Sequence, residues 1–261
     1  MAKKIVSTAT YVYCVVAAPR APRRSRSPAG LPGAGRVRLL DLDRGLYLVA
    51  ADVPLARYGE AAIERGLSDL DWVSRAAVAH EAVVESFIDT TAVLPMKLFT
   101  IFNNDARAIE HMRADRSRLD ALVKRLANHH EWGIRVVLDR TGAAKAAAST
   151  REKMPSRSGS AYLSKKKAQR DAAIELADRA RDAVAALYDR LAAASRVARR
   201  RTASELPAQG GSLLLDAAFL VPRSRSKTFR TLAAREARAL SKHGYGLTLT
   251  GPWPPYTFVQ E

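Results

Sequence analysis

The chain has 261 residues, of which 48% are hydrophobic, so it is long enough to bury one large core or two smaller ones. Its 43 Lys and Arg residues outnumber the 26 Asp and Glu residues and give a formal net charge of +17, while the ordinary apolar fraction excludes a wholly disordered chain. The single cysteine excludes an internal disulfide and a cysteine-based zinc site.

The first element is predicted to be a buried strand near residues 10–18. Lys3 and Lys4 precede this apolar stretch and give it a loose likeness to a secretory signal, but polar residues interrupt it. Its alternating Tyr and Val residues suit a strand better. No apolar run approaches the roughly 18 residues that span a bilayer. We therefore expect a cytoplasmic protein with no membrane span.

A basic, flexible loop is predicted next, because residues 19–35 contain four prolines, three glycines and four arginines. Two strand-like runs follow at 36–42 and 46–53. Gly45 lies between them and can adopt the positive φ of a tight turn, so the two runs predict a β-hairpin. Ser68 or Asp69 then caps a helix that extends to about residue 85.

The middle of the chain is predicted to continue as strand, helix, strand and linker. Residues 93–102 are apolar, with Pro95 favouring an edge position or a strand start. A polar turn at 103–105 begins a helix that extends to about residue 127. A strand is predicted at 132–138, and residues 141–158 lack periodicity and are interpreted as a linker.

The second half begins with a helix predicted at about 161–200, because its apolar side chains recur at helical spacing without Pro or Gly. At 1.5 Å per residue it would be roughly 60 Å long, which exceeds a small domain. A central strand at 213–221, a helix at 228–242 and a strand at 245–250 follow. Three prolines in the tail 251–261 predict an extended path.

This order of elements predicts an α+β fold of two small domains rather than one doubly wound sheet. We assign residues 1–110 to an N-terminal domain that carries the basic loop 19–35. Residues 111–261 are assigned to a C-terminal domain with the long helix and the tail. The change from one domain to the other is expected between residues 103 and 131.

The polar clusters do not form a recognisable active site. His80, Glu81 and Glu85 lack the second histidine of a zincin, because Val84 stands there, so a solvated or capping role is favoured. His129 and its neighbours suit a helix C-terminus. No catalytic residue, metal ligand or cofactor is therefore predicted.

Basic residues are concentrated in two segments. Residues 1–30 carry six Lys or Arg and no acid, and residues 145–170 carry eight against one acid. Such segments could neutralise nucleic-acid phosphates, attract other anionic partners or only solvate the surface. No nucleic-acid-binding motif accompanies them. A basic nucleic-acid-binding protein is therefore kept as the alternative function.

Six segments together resemble the GvpL/GvpF family of gas vesicle accessory proteins. The most specific is the terminal run Leu249-Thr250-Gly251-Pro252-Trp253-Pro254-Pro255-Tyr256-Thr257-Phe258. The others, in order, are Tyr11-Val12-Tyr13, Val93-Leu94-Pro95-Met96-Lys97, Glu131-Trp132-Gly133-Ile134-Arg135-Val136, Tyr162-Leu163 and Ala217-Ala218-Phe219-Leu220-Val221. The resemblance covers nearly the whole chain.

The resemblance implies two α+β domains, at least one of them ferredoxin-like, and no enzymatic activity. It also implies binding to the hydrophobic major shell protein and to other accessory proteins, to help nucleate or chaperone shell formation. This sequence departs from the family at Cys14, where Gly is common, and at Leu98-Phe99, where Phe-Gly is usual. Because Gly permits close backbone approach and Phe does not, the departure leaves the local packing at Phe99 open.

A partner-binding surface is predicted on the long helix and the tail, because the apolar stripe of the helix is longer than one small domain can cover. The same stripe could also be ordinary core, and the tail rings could close the core of their own domain. The residues assigned to this surface are Ile174, Val184, Leu187, Leu191, Trp253 and Tyr256.

Overall fold

The computed structural model describes residues 7–22, 28–138, 159–201 and 212–259. The predicted linker at 141–158 lies outside the described residues, as does part of the predicted loop 19–35. The chain divides into two compact units. Unit 1 comprises Met1–His130 and Trp253–Glu261, and unit 2 comprises Glu131–Pro252.

The described residues form nine strands and eight α-helices. The strands are β1 (Thr8–Ala17), β2 (Arg38–Asp41), β3 (Leu46–Pro54), β4 (Ala92–Pro95), β5 (Ile101–Phe102), β6 (His129–Leu138), β7 (Val197–Arg200), β8 (Ser212–Pro222) and β9 (Tyr245–Trp253). The helices are α1 (Leu55–Tyr58), α2 (Glu60–Gly66), α3 (Leu70–Glu85), α4 (Asp105–Ala114), α5 (Arg116–Leu126), α6 (Gly159–Ala193), α7 (Ser226–Ser241) and α8 (Tyr256–Val259).

The sheet of unit 1 has the order β2-β3-β1-β4, and the short β5 also pairs with β1. These pairings are antiparallel. The predicted hairpin is confirmed as β2 and β3, and Gly45 in its turn has a φ of 75°. Asp69 is also confirmed as a cap, since its carboxylate accepts from two backbone N–H groups at the start of α3.

Strand β1 is buried on both faces, because helices cover the sheet from both sides. One face carries the rings of Tyr11 and Tyr13, which belong to the same core cluster as Val83 and Val84 of α3. Successive strand residues point to opposite faces, so the fully buried Val12 between these two rings points to the other side. Helices α4 and α5 contact the strands there.

Two predictions about the middle of the chain need correction. The helix predicted from 105 to about 127 is interrupted at Asp115, where α4 ends and α5 begins. The assignment of residues 111–261 to a second domain also differs from the structure, in which unit 2 begins at Glu131. The physical reason is that α5 packs on β4 through an apolar stripe that includes Leu122, so it completes the first core.

Unit 2 has the element order β6-α6-β7-β8-α7-β9 and the strand order β7-β8-β6-β9. The predicted central strand is confirmed as β8. Helix α6 has 35 residues, which corresponds to about 52 Å. The prediction that it reaches residue 200 is wrong, because residues 197–200 pair antiparallel with β8 as strand β7.

Both units share the strand order of a ferredoxin-like fold. Unit 2 has the complete β-α-β-β-α-β arrangement of that fold. Unit 1 repeats the order β2-β3-β1-β4, but the described residues between β1 and β2 contain no helix. The predicted α+β class, with at least one ferredoxin-like domain, is therefore confirmed.

The C-terminal tail is less extended than its prolines suggested. Strand β9 continues as far as Trp253, and residues 256–259 form the helical turn α8, with Phe258 almost fully buried in unit 1. The prolines end at Pro255, so they leave the next four residues free to turn.

Across the described residues, no helix combines the length and the apolar character that a membrane span requires.

Candidate partner-binding site

Unit 1 contains a cavity of about 640 Å³ beside the edge strand β4. Its walls come from α3, the segment that follows β4, α4, α5 and α8. The larger apolar side chains of the lining include Leu94, Met96, Met112, Leu119 and Leu122. A largely apolar cavity of this size is typical of a binding site.

The segment after β4 is held against the neighbouring strand by backbone hydrogen bonds. Met96 N–H donates to the carbonyl of Tyr13 at 2.9 Å. Thr100 closes the following turn by donating its hydroxyl to the Lys97 carbonyl at 2.7 Å. Phe99 adopts a φ of 64°, and its ring stacks on Trp72 with the ring centroids 5.0 Å apart. A positive φ favours glycine. This explains why the family that the chain resembles usually has Gly at the position of Phe99.

His80 of α3 lies in the wall of this cavity and is only 4% exposed. The solvated or capping role predicted for it is therefore wrong. Its spacing from Ala76 and Val84, which are also buried, is the sequence signal that could have placed it on the core-facing side of the helix.

The hydrogen bonds around His80 decide which ring nitrogen carries the proton. Phe99 N–H donates to the Tyr11 hydroxyl oxygen at 3.3 Å, and that oxygen lies 2.7 Å from His80 Nδ1. The buried Tyr11 hydroxyl has its own proton to place, and Nδ1 is the acceptor beside it. The neutral ring of His80 therefore carries its proton on Nε2, and the backbone carbonyl of Met96 is an acceptor that acts on the ring.

Burial also keeps this histidine uncharged. Loss of solvation lowers the pKa of His80 from 6.5 to about 4, and the backbone carbonyl of Met96 acts in the opposite direction with a smaller effect. At neutral pH the ring in the cavity wall is therefore uncharged.

Tyr256 brings the C-terminal tail into the same wall. Arg125 of α5 donates to the carbonyl of Phe258 at 2.6 Å and so fixes α8 in unit 1. The Tyr256 hydroxyl is buried without a hydrogen-bond partner. Burial, and then the nearby Glu81 carboxylate, raises the pKa of Tyr256 well above its usual range, so the hydroxyl keeps its proton.

The charged groups around the cavity nearly cancel. Glu81 and Asp115 supply two carboxylates, and Lys97 and Arg118 supply two cations. Arg118 is paired with Asp115 at 2.8 Å. The cavity is thus close to neutral within a chain of formal charge +17.

The other residues assigned to partner binding lie elsewhere. Val184, Leu187 and Leu191 of α6 are buried in the core of unit 2, against β6, β8 and α7. The side chain of Ile174 lies outside the described residues, and Trp253 is partly exposed at the end of β9. Among the predicted residues whose side chains the structure describes, Tyr256 alone lines the cavity. The residues described by the structure include no group of three or more potential metal ligands.

Comparison with known proteins gives matches over nearly the full length of the chain. The family model described as gas vesicle synthesis protein GvpL/GvpF matches residues 9–260. Gas vesicle protein L of Streptomyces sp. (strain CB03234) is 33% identical over 258 residues, which cover 95% of this chain and 92% of that protein. Gas vesicle protein L2 of Halobacterium salinarum is 27% identical, with 100% and 94% of the two chains covered.

Two solved structures are similar in fold. The crystal structure of GvpF from Anabaena sp. PCC7120 gives a TM-score of 0.68 at 16% identity and covers 98% of this chain and 97% of that one. GvpF from Microcystis aeruginosa gives a TM-score of 0.63 at 16% identity, with 97% and 99% covered. Both structures support the α+β fold.

Proposed function

The chain belongs to the GvpL/GvpF family of gas vesicle synthesis proteins, and from that premise we propose that it is a non-enzymatic accessory protein of gas vesicle assembly. In this role it binds the hydrophobic major shell protein and other accessory proteins, and helps to nucleate or chaperone shell formation. The observation that carries the proposal is the family match over residues 9–260.

The physical need for such a protein follows from the chemistry of a hydrophobic shell subunit. Apolar surfaces and unpaired strand edges aggregate in water, so an early partner has to cover them reversibly. The apolar cavity of unit 1 supports this role, because it offers buried surface that a partner can occupy. The protein would act in the cytoplasm, on gas vesicles or on their assembly intermediates.

We also propose that a partner protein contacts the long helix α6. Its stripe of Val184, Leu187 and Leu191 packs in the core of unit 2, so a partner would meet the exposed positions instead. Lys167, Arg170 and Arg181 are exposed along this helix.

Nucleic-acid binding is the second candidate, and the net charge of +17 is the observation that favours it. Binding through phosphates weakens steeply with salt, whereas binding through apolar surface survives moderate salt. The near-neutral cavity is suited to a partner that binds through apolar surface.

Co-purification tests the proposal directly. The full chain and the major shell protein are expressed together, washed at moderate salt and examined by gel and by absorbance at 260 and 280 nm. Retention of the shell protein without nucleic acid is expected. Loss of the shell protein with strong absorbance at 260 nm would instead favour the nucleic-acid alternative.

A charge-reversal variant tests helix α6 in the same assay. We expect Lys167→Glu, Arg170→Glu and Arg181→Glu together to lower shell-protein retention. Reversal of three exposed arginines of unit 1, at Arg20, Arg65 and Arg75, is the matched control for the change in net charge. Equal retention by the two triple variants would remove α6 from the partner-binding surface.

A further inference from the structure

We propose that the exposed side of helix α3 binds a basic amphipathic helix of a partner protein. The apolar side chains of that helix pack on Leu70 and Val78, and its Lys or Arg side chains meet the carboxylates of Asp71, Glu81 and Glu85. These five residues are called the α3 face. The inference deepens the proposed function, because it names the chemistry of one partner surface, and it rests on that function only in expecting a protein partner.

Exposed apolar side chains are concentrated in this part of unit 1. Among the described residues, the large apolar side chains that are exposed all lie between residues 55 and 78, namely Leu55, Leu67, Leu70 and Val78. Leu70 is 82% exposed and Val78 is 63% exposed. Single apolar residues are common on protein surfaces, whereas a cluster of them marks an interaction site.

The spacing along α3 suits a helical partner. Leu70 and Val78 are eight residues apart, so they lie on one side of α3 about 12 Å apart along its axis. Ala76 and Val83 point the other way and are buried in the core of unit 1. Ser74 lies between the two apolar residues and is small, so a second helix can pack closely on this ridge. An extended strand needs a strand edge for its backbone hydrogen bonds, and a helix offers none.

The acids of the α3 face have no ion-pair partner among the described residues. Asp71, Glu81 and Glu85 are unpaired there, although the chain has 43 Lys and Arg residues. The acids of α4 and α5 differ, because each of them pairs with an arginine at 2.6 to 2.9 Å; they are Asp105, Glu110, Asp115 and Asp120. The three carboxylates of the α3 face are therefore available to cations of a partner.

The charges decide what kind of partner fits. Burial, and then the Glu81 carboxylate, raises the pKa of Glu85 above its ordinary value. A cation beside this pair would relieve the repulsion, whereas a phosphate or a further carboxylate would increase it. The α3 face is therefore suited to a basic protein surface rather than to nucleic acid or anionic lipid. Because two copies of a chain of charge +17 repel each other, we assign the helix to a different protein.

Two synthetic helical peptides test the charge complementarity. Both have about 18 residues, or five turns, with the same Leu and Ala stripe, an acetylated N-terminus and an amidated C-terminus. One carries Lys beside the stripe and the other carries Glu at the same positions. Each is titrated into the full chain labelled with 15N, and the backbone amide signals are followed at 50 mM salt.

We expect the Lys peptide to shift the amide signals of α3 and to bind there at least tenfold more tightly than the Glu peptide. The net charge of the chain favours the opposite order, so long-range attraction cannot produce this result. Absence of α3 shifts with the Lys peptide, or equal binding of the two peptides at α3, would overturn the inference.

Two variants of the full chain locate the contact. Leu70→Ser and Val78→Ser together remove the apolar side chains without a change of charge. Asp71→Asn, Glu81→Gln and Glu85→Gln together remove the carboxylates. We expect each combined variant to bind the Lys peptide at least fivefold more weakly than the wild type, with circular dichroism used to confirm that it is folded.

The matched control for charge neutralises three acids that already pair with arginines, namely Glu110→Gln, Asp120→Asn and Asp178→Asn. It changes the net charge by the same amount as the triple variant of the α3 face. Leu55→Ser, at an exposed apolar residue of α1, is the control for the apolar pair. Both controls should bind the Lys peptide within twofold of the wild type. Equal weakening by the two triple variants would contradict the α3 face.

Other occupants would be recognised in the same spectra. Shifts of the α3 signals when the chain alone is concentrated would show that a second copy covers the face. Loss of the α3 signals before those of the rest of the chain, on addition of phosphatidylglycerol vesicles, would show a membrane contact. Either result would overturn the assigned partner.

The peptide titration and the co-purification separate the two proposals. A peptide titration without α3 shifts would contradict the α3 face and leave the proposed function standing. Failure of the wild-type chain to retain the shell protein would contradict the proposed function, and the peptide titration would then decide on the α3 face alone.

Discussion

At the scale of single residues, Phe99 is held in a backbone conformation that ordinary side chains disfavour. Its φ of 64° lies in the left-handed region, and the stacking of its ring on Trp72 offsets part of that cost. Phe99 lies between Leu98 and Thr100, which both line the cavity. The strained backbone at Phe99 therefore destabilises the fold, whereas the packing of its ring stabilises it.

Two substitutions separate these effects. Phe99→Ala and Phe99→Gly both remove the ring, but only glycine accepts the positive φ, so we expect Phe99→Gly to be more stable by about 1 kcal/mol. Chemical denaturation measures the difference. At the exposed helical position Ala61, Ala61→Gly should instead be destabilising by about 1 kcal/mol. A Phe99→Ala variant as stable as Phe99→Gly would contradict the assigned conformation.

The buried His80 makes the stability of the protein depend on pH. Its pKa is about 4 in the folded protein and near 6.5 when unfolded, so between these values the unfolded state binds more protons. Stability from this group is therefore present above pH 6.5 and is lost as the pH falls toward 4. From pH 7 to pH 5 the loss is about 2 kcal/mol.

Urea unfolding of the wild type and of His80→Gln at both pH values measures this contribution. The variant lacks the titrating ring, so its free energy of unfolding should fall by about 2 kcal/mol less over that interval. Other acids and histidines affect both proteins alike and cancel in the comparison. Parallel pH profiles would show that His80 is protonated equally in both states.

At the scale of elements, α8 is a short helix that contributes a large apolar side chain to unit 1, whose other residues are distant from it in sequence. Phe258 is 2% exposed, and its carbonyl accepts from Arg125 of α5. The tail therefore completes unit 1 as well as lining the cavity through Tyr256.

Truncation of this side chain should be costly. Phe258→Ala is expected to destabilise the protein by about 3 kcal/mol, because a buried ring is lost and a cavity remains. Leu67→Ala, at a side chain that is 56% exposed, should cost less than about 0.5 kcal/mol. Thermal unfolding compares the two variants. A similar cost at both positions would contradict the docking of α8.

Helix α4 is joined to the sheet by Asp105 in its first turn. The carboxylate accepts from Thr10 of β1 at 2.7 Å and from Arg38 of β2 at 2.6 Å and 3.1 Å. Partial burial tends to raise the pKa of Asp105, but the bonds from Arg38 and Thr10 outweigh it and lower the pKa. The group is partly exposed, so solvent reduces the worth of these bonds.

Neutralising this carboxylate should weaken the attachment of α4. Asp105→Asn is expected to cost about 1 kcal/mol. Glu110→Gln on the same helix removes the partner of the exposed Arg107 and should cost only about 0.3 kcal/mol. Urea denaturation of the two variants measures the contrast, and equal costs would argue against a tie through Asp105.

At the scale of the whole molecule, the formal charge of +17 predicts weak, nonspecific attraction to nucleic acid. We expect a 20-nucleotide RNA of any sequence to bind the full chain at 50 mM salt and to lose at least tenfold in affinity at 300 mM. Fluorescence anisotropy measures both values. Tight binding at 300 mM with a preference for one sequence would favour the alternative function.

Much of the fold could be predicted from the sequence where the cause is local. Asp69 has an acceptor at cap distance from the following N–H groups, and Gly45 alone can take the turn conformation without strain. The end of α6 could not be predicted in this way. Residues 197–200 continue a helical pattern, but pairing with β8, which is distant in sequence, makes them a strand.

The candidate site was only partly predictable. Tyr256 was expected to meet a partner because of the prolines and rings around it. His80 was misassigned because its polar neighbours Glu81 and Glu85 suggested a solvated face. Whether a histidine is buried depends on what packs against its helix, and here that is the ring of Tyr11 from another element.

The sequence by itself determined the family, the α+β class and most of the strands and helices, because each depends on residue types at short spacing. The tertiary structure alone decided that the segment after β4, helix α3 and the C-terminal tail enclose one cavity. It also decided the proton position on His80. These features depend on contacts between residues such as Met96 and Tyr256, which are far apart in the chain and are brought together only when the core forms.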